Sequence, residues 1–133
     1  MTRYVIDAPT LLHVVDEDVQ VHPDHQLVAP GSVRSQALQL LYDDVRSGRR
    51  TEKDARRDHT RLTELKMRLL NDRVSRWVSW QIAAEHGWDT LRDAEYLAVA
   101  RLQADALVTV DADLATKAEG IVPVEPVAAL SRA

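Results

Sequence analysis

Three short apolar runs constrain this chain most: Tyr4-Val5-Ile6, Leu27-Val28-Ala29 and Ala106-Leu107-Val108-Thr109-Val110. Each is bounded like a buried strand, and the third is the clearest strand in the sequence. The stretches between them carry helical spacing and are long enough to cross a sheet and return. Strands that alternate with helices argue for an α/β domain, a parallel sheet wrapped in helices. With 133 residues, the chain is most simply one domain, residues 1–133, large enough to bury a real core. No internal repeat, low-complexity tract or linker divides it.

The first strand covers residues 3–7, and Pro9 suits the first turn of a following helix because its missing N–H would be unpaired there. Residues 16–26 are acidic, contain His22-Pro23-Asp24-His25 and read as a loop. After Pro30-Gly31, Ser32 is placed to cap a helix to about residue 47, with Val33, Ala37, Leu40 and Leu41 on one face. Thr51, three residues before Asp54, predicts the start of a helix reaching about Leu70. The next helix spans 74–86 and ends at Gly87, with Trp77, Trp80 and Ala84 on a stripe expected to pack inward. Asp89 or Thr90 is expected to cap a helix to about Gln103. A short helix Ala112–Ala118 follows the strand at 106–110, and Ile121-Val122 reads as a last edge strand.

The absence of cysteine excludes disulfides, zinc–thiolate sites and thiol nucleophiles. The chain enters a strand pattern at once, with no signal-peptide stretch, and no window approaches a membrane span. A soluble cytoplasmic protein without a membrane partner is the expectation. The net charge of −4 conceals an asymmetry: residues 46–76 hold eleven Lys/Arg against five Asp/Glu, and the rest carries six against sixteen. Such a basic segment either holds a polyanion beside an acidic site or forms a solvated helix face with mixed charges.

Four aspartates stand at element ends. Asp7 closes the first strand, Asp93 opens the 94–102 helix pattern, and Asp111 and Asp113 follow the strand at 106–110. Open α/β sheets place their sites at the carboxyl ends of strands. Carboxylates gathered there repel one another unless a divalent cation lies between them, which points to phosphate chemistry assisted by Mg²⁺ or Mn²⁺. Thr109 shares a side of its strand with Asp111, so its hydroxyl is placed to support the site. Taken singly, Asp7 and Asp111 can be helix caps and Asp93 a first-turn acid favoured by the helix dipole.

These pieces together resemble the PIN-domain family, and within it the VapC-type toxins of bacterial toxin–antitoxin modules. The resemblance rests on Tyr4-Val5-Ile6-Asp7, Leu27-Val28-Ala29-Pro30, Arg92-Asp93-Ala94-Glu95-Tyr96-Leu97-Ala98 and Leu107-Val108-Thr109-Val110-Asp111-Ala112-Asp113-Leu114, in that order along nearly the whole chain. It implies a PIN-like three-layer sandwich, with a short central parallel sheet flanked by helices. It also implies metal-dependent endoribonuclease activity, with Asp7, Asp93 and Asp111 as metal-site acids and Asp113 as a frequent fourth. A homodimer and inhibition by a VapB-like antitoxin belong to the same expectation. RNA phosphates would fall to Arg46, Arg49, Arg50 and Arg56. The sequence departs at Gln36, where the family usually carries glutamate. Gln36 would therefore orient water without contributing charge. A second departure is Pro9, where many relatives have a small hydroxyl or amide residue; Thr10, one position on, is not counted with the site.

The remaining polar residues point elsewhere. His22 and His25 lack metal-ligand spacing and read as loop residues, His59 and His86 as surface and helix-end residues, and His13 as half-buried. No phosphate-cradling glycine loop or Ser/His/Asp nucleophile arrangement occurs. A PIN fold that binds RNA or protein without cutting is the alternative, supported by Gln36 and opposed by the four retained aspartates. A receiver-like reading needs a lysine at the end of a late strand, and the lone C-terminal lysine, Lys117, lies inside a short helix.

Overall fold

The computed structural model describes residues 1–133. Its chain order is β1 (Thr2–Ile6), α1 (Ala8–Asp16), β2 (His25–Pro30), α2 (Val33–Arg46), α3 (Glu52–Glu64), β3 (Arg68–Leu70), α4 (Arg73–His86), α5 (Arg92–Gln103), β4 (Ala106–Val108), α6 (Ala112–Ala118) and β5 (Val124–Glu125), with a closing 3₁₀ turn at Val127–Ser131. The five strands form one all-parallel sheet in the order β3-β2-β1-β4-β5. The chain fills one half of the sheet outward from β1, then returns to fill the other half from β4. The crevice of a doubly wound sheet opens where that order reverses, between β1 and β4. Their register pairs Ile6 with Val108, so Asp7 and Thr109 emerge side by side.

Helices cover both faces, which is why β1 and β4 are continuous apolar runs. Val5, Ile6, Leu107 and Val108 are fully buried within a cluster of 31 apolar residues. On one side α1 packs with α2 and α3; on the other, α5 lies against β1, β2 and β4 and against α4. This is the three-layer α/β arrangement expected.

Several boundaries differ from the sequence reading. The helix opened by Thr51 stops at Glu64, and residues 68–70 form edge strand β3 instead. Leu62, Leu65 and Leu69 repeat at helical spacing, which disguised the strand, but Leu65 already has extended backbone at ψ 126°. The last strand is Val124–Glu125 rather than Ile121-Val122, because the amides of Ile121 and Val122 both donate to the Ala118 carbonyl in the turn that closes α6. α5 is preceded by Leu91 with no side-chain cap, correcting Asp89 and Thr90, and Ser32 likewise gives α2 none. β4 ends at Val108, two residues early.

The stripe assigned to the α4 core is also corrected. Trp77 and Trp80 are 57% and 55% exposed, and the buried face is Ser75, Ser79, Ile82 and Ala83. Ser79 Oγ donates to the Arg76 carbonyl at 2.6 Å, and Ser75 Oγ to that of Asp72 at 3.1 Å. Hydroxyls satisfied within their own helix can be buried, and their small size suits close packing on the alanine-rich α5.

Candidate active site

Asp7 is the residue just past β1, and its backbone carbonyl starts α1 by accepting from the Leu11 amide. Its side chain does not cap that helix. The carboxylate instead accepts hydrogen bonds from Thr10 Oγ1 on Oδ1 and from Thr109 Oγ1 on Oδ2, the latter at 3.0 Å. Both hydroxyls are fixed from behind. Thr10 Oγ1 accepts from the Val110 amide, and Thr109 Oγ1 from the Asp111 amide, each at 3.0 Å. These bonds also explain why β4 stops at Val108: the next amides turn to side chains. Thr109 supports Asp7 as well as the Asp111 backbone, and Thr10 does reach the first aspartate despite its shifted position.

The Asp7 carboxylate is 3% exposed and forms no ion pair. Burial pushes its pKa above the ordinary value; the bonds from Thr10 and Thr109 pull down, and the charge of Asp111 pushes further up. A buried carboxylate hydrogen-bonded only to hydroxyls is costly unless a cation or a proton joins it.

Asp111 begins α6, and its Oδ1 accepts from the amides of Asp113 at 2.9 Å and Leu114 at 3.4 Å. It is therefore a helix cap and a neighbour of Asp7 at once. Asp93, in the first turn of α5, accepts from Lys117 Nζ at 2.8 Å, and the same ammonium lies 5.2 Å from the centre of the Trp88 ring. The bond to Asp93, with the nearby charges of Asp113 and Asp111, raises the Lys117 pKa.

Gln36, one turn into α2, is clamped. Tyr96 OH donates to its Oε1 at 2.5 Å, and its Nε2 donates to Ser32 Oγ at 3.2 Å, which faces Glu95 Oε2 at 3.5 Å. Burial raises the Tyr96 pKa, helped by the charges of Asp7, Glu95 and Asp93, so the phenol stays protonated and donating. Acids from three places in the fold, the end of β1, the first turn of α5 and the start of α6, thus bear on one region, joined by Tyr96 and Lys117. No three His, Asp or Glu side chains close on a single point in this arrangement. The donor set is nonetheless of the type that hard divalent cations take: carboxylate oxygens, those of Asp7 buried and paired with no basic side chain.

Of the four arginines expected to hold phosphates, Arg50 is engaged within the fold. Its guanidinium, 15% exposed, binds Asp16 and Asp44 and the buried Asp58. Arg49 pairs with Asp44 at 3.1 Å and Arg56 with Glu52 at 3.5 Å, while Arg46 lies over the Tyr42 ring. A cavity of about 780 Å³ opens at the opposite, amino-terminal end of the strands among Val19, Leu27, Leu65 and Met67 and contains none of the four aspartates. A smaller cleft of about 280 Å³, lined by Ser32, Asn71, Arg76 and Glu95, adjoins the site.

Sequence reasoning missed Thr10, Tyr96, Glu95, Trp88 and Lys117. Thr10 had a signal, a hydroxyl three residues after Asp7 on an apolar helix face. Lys117 had none, since its partner lies 24 residues away on another helix.

No protein-family model matches this sequence, and no curated protein does either. Solved structures do. The PAE2754 protein of Pyrobaculum aerophilum superposes with TM-score 0.74 at 24% identity, covering 97% of this chain and 93% of its own. VapBC-1 of nontypeable Haemophilus influenzae gives TM-score 0.63 at 15% identity, covering 95% and 98%. The chain has the PIN-like fold. VapBC-5 of Mycobacterium tuberculosis, from the VapBC family of toxin–antitoxin systems, gives TM-score 0.58 at 22% identity over 95% of this PIN-like chain and 98% of that one. At these identities the likeness is one of fold.

Proposed function

We propose that this chain is a metal-dependent endoribonuclease of the VapC type, held in check by a VapB-like antitoxin in the cytoplasm. The observation that carries this reading is Asp7: a buried carboxylate with no Lys, Arg or His paired to it, fixed by Thr10 and Thr109 at the strand-order reversal, with Asp111 beside it. Asp7, Asp93 and Asp111 would hold Mg²⁺ or Mn²⁺, with Asp113 at the margin. When bound, such an ion lowers the pKa of a water for in-line attack on phosphorus and stabilises the leaving oxygen. The chain's own residues supply the position. Thr109 and Thr10 aim Asp7, Tyr96 keeps the Gln36 amide oriented, and Arg46, Arg49 and Arg56 present exchangeable cations to phosphates. A homodimer fits the exposed apolar side chains of α2 and α4, Leu38, Tyr42, Val74, Trp77 and Trp80.

One observation favours a second reading, a PIN-like fold that binds RNA or protein without cutting it. Both ends of the Gln36 amide are engaged by Tyr96 and Ser32, leaving an uncharged, structurally bound group where an acid would face an ion. A single experiment separates the two. Purified protein, freed of any antitoxin, is incubated with mixed cellular RNA in Mn²⁺, Mg²⁺ or EDTA, beside an Asp7→Asn/Asp93→Asn double variant. The nuclease gives cleavage in metal only, lost in the variant. Intact RNA with folded wild-type protein selects the binding module.

A further inference from the structure

Resting on the metal-site reading above, we propose that Lys117 is a resident counter-ion of the aspartate site, which an incoming divalent cation must displace from Asp93. Lys117 lies four residues after Asp113 on α6, the spacing at which a lysine and an acid pair along one helix. Its ammonium instead crosses to α5 and binds Asp93 Oδ2 at 2.8 Å. The Trp88 ring, 5.2 Å from the same nitrogen, supplies a second favourable contact for a cation. No other lysine, arginine or histidine forms an ion pair with Asp7, Asp93, Asp111 or Asp113. The one positive charge delivered to the four aspartates is thus carried by a flexible four-carbon stem that remains 39% exposed.

An ammonium and a hydrated magnesium ion compete for the same carboxylate oxygens. The ammonium offers one charge and hydrogen bonds; the metal offers two charges and coordination. A partly exposed Lys–Asp pair is weak enough to open without unfolding its helices, since such pairs contribute little net stability. Lys117 therefore keeps the metal-free aspartates from repelling one another, and it sets the concentration at which the ion enters.

The test is a calorimetric titration of MnCl2 into the full chain, wild type against Lys117→Met, with Lys117→Gln as a second uncharged variant. Loss of the competitor should tighten Mn²⁺ binding by up to about fivefold, the most that an exposed ion pair typically weighs. The metal-free variants should melt below wild type, and their Tm should rise more on adding Mn²⁺. A lysine that only staples α5 to α6 would lower Tm without changing Mn²⁺ affinity. Equal or weaker binding by both folded variants overturns the inference while leaving the metal site standing. Absence of Mn²⁺ binding in wild type and variants alike overturns both.

Discussion

A carboxylate held in a protein interior by two threonine hydroxyls is stabilised as an acceptor and destabilised as a charge, and at Asp7 the second effect dominates. The sign of the pH dependence follows. Between the unfolded pKa and the raised folded one, the native state binds more protons than the unfolded state, so stability falls as pH rises through that window. Replacing Asp7 by Asn removes the charge and keeps an oxygen to accept from one threonine. The Asp7→Asn variant should therefore melt above wild type at pH 7 without metal, and the difference should shrink toward pH 4. Thermal melts at a series of pH values in EDTA check this, and a variant less stable at pH 7 would contradict it. At this scale the sequence was legible wherever a side chain's place is set by its own strand. Asp7 and Thr109 follow from strand ends and alternation. Thr10, Tyr96 and Lys117 do not, because each acts on a residue that only the return of the chain brings near.

Arg50 shows how a charge pattern is divided among elements. In sequence it is one of eleven basic residues in a run that could face RNA. In the fold it follows α2 and binds Asp16 at the end of α1, Asp44 on α2 and Asp58 on α3, tying the three helices that cover one face of the sheet. Asp58 is 1% exposed, and a buried carboxylate stripped of its main partner is expensive. Arg50→Ala should cost about 3 kcal/mol in chemical denaturation, the range for breaking a buried pair. Arg50→Lys should recover only part of it, since lysine cannot reproduce the forked contact with Asp16. A loss below about 0.5 kcal/mol, typical of a surface site, would return Arg50 to the exposed charges. Helices and strands with strong periodicity were readable here. β3 was not, since an edge strand of three residues buries too little to break a leucine spacing that also fits a helix. The inward stripe of α4 was misread because two large aromatics at helical spacing outweigh serines as a core signal, although the serines pack.

For the whole molecule, the unexplained surface is α4. Val74, Trp77 and Trp80 are 61%, 57% and 55% exposed, and the two indole rings lean on each other with centroids 5.6 Å apart. Two half-exposed tryptophans leave roughly 250 Å² of aromatic surface in water. That is about a third of the ~800 Å² each partner contributes to a specific interface, so the pair suits the centre of a contact rather than its whole area. In a two-fold dimer the same patch meets itself, and one substitution acts twice. The Trp77→Glu/Trp80→Glu variant would then place four carboxylates in the middle of the contact. It should sediment as a monomer where wild type sediments as a dimer. Its folding should be unaffected, because neither ring belongs to the buried face of α4. Wild-type protein that is monomeric at tens of micromolar, or a variant that still dimerises, would remove α4 from the interface. The aspartates lie at the other end of the argument: each protomer carries its own Asp7, Asp93 and Asp111, so the monomeric variant should bind Mn²⁺ as wild type does. A loss of metal binding together with the dimer would mean that the second copy completes the site.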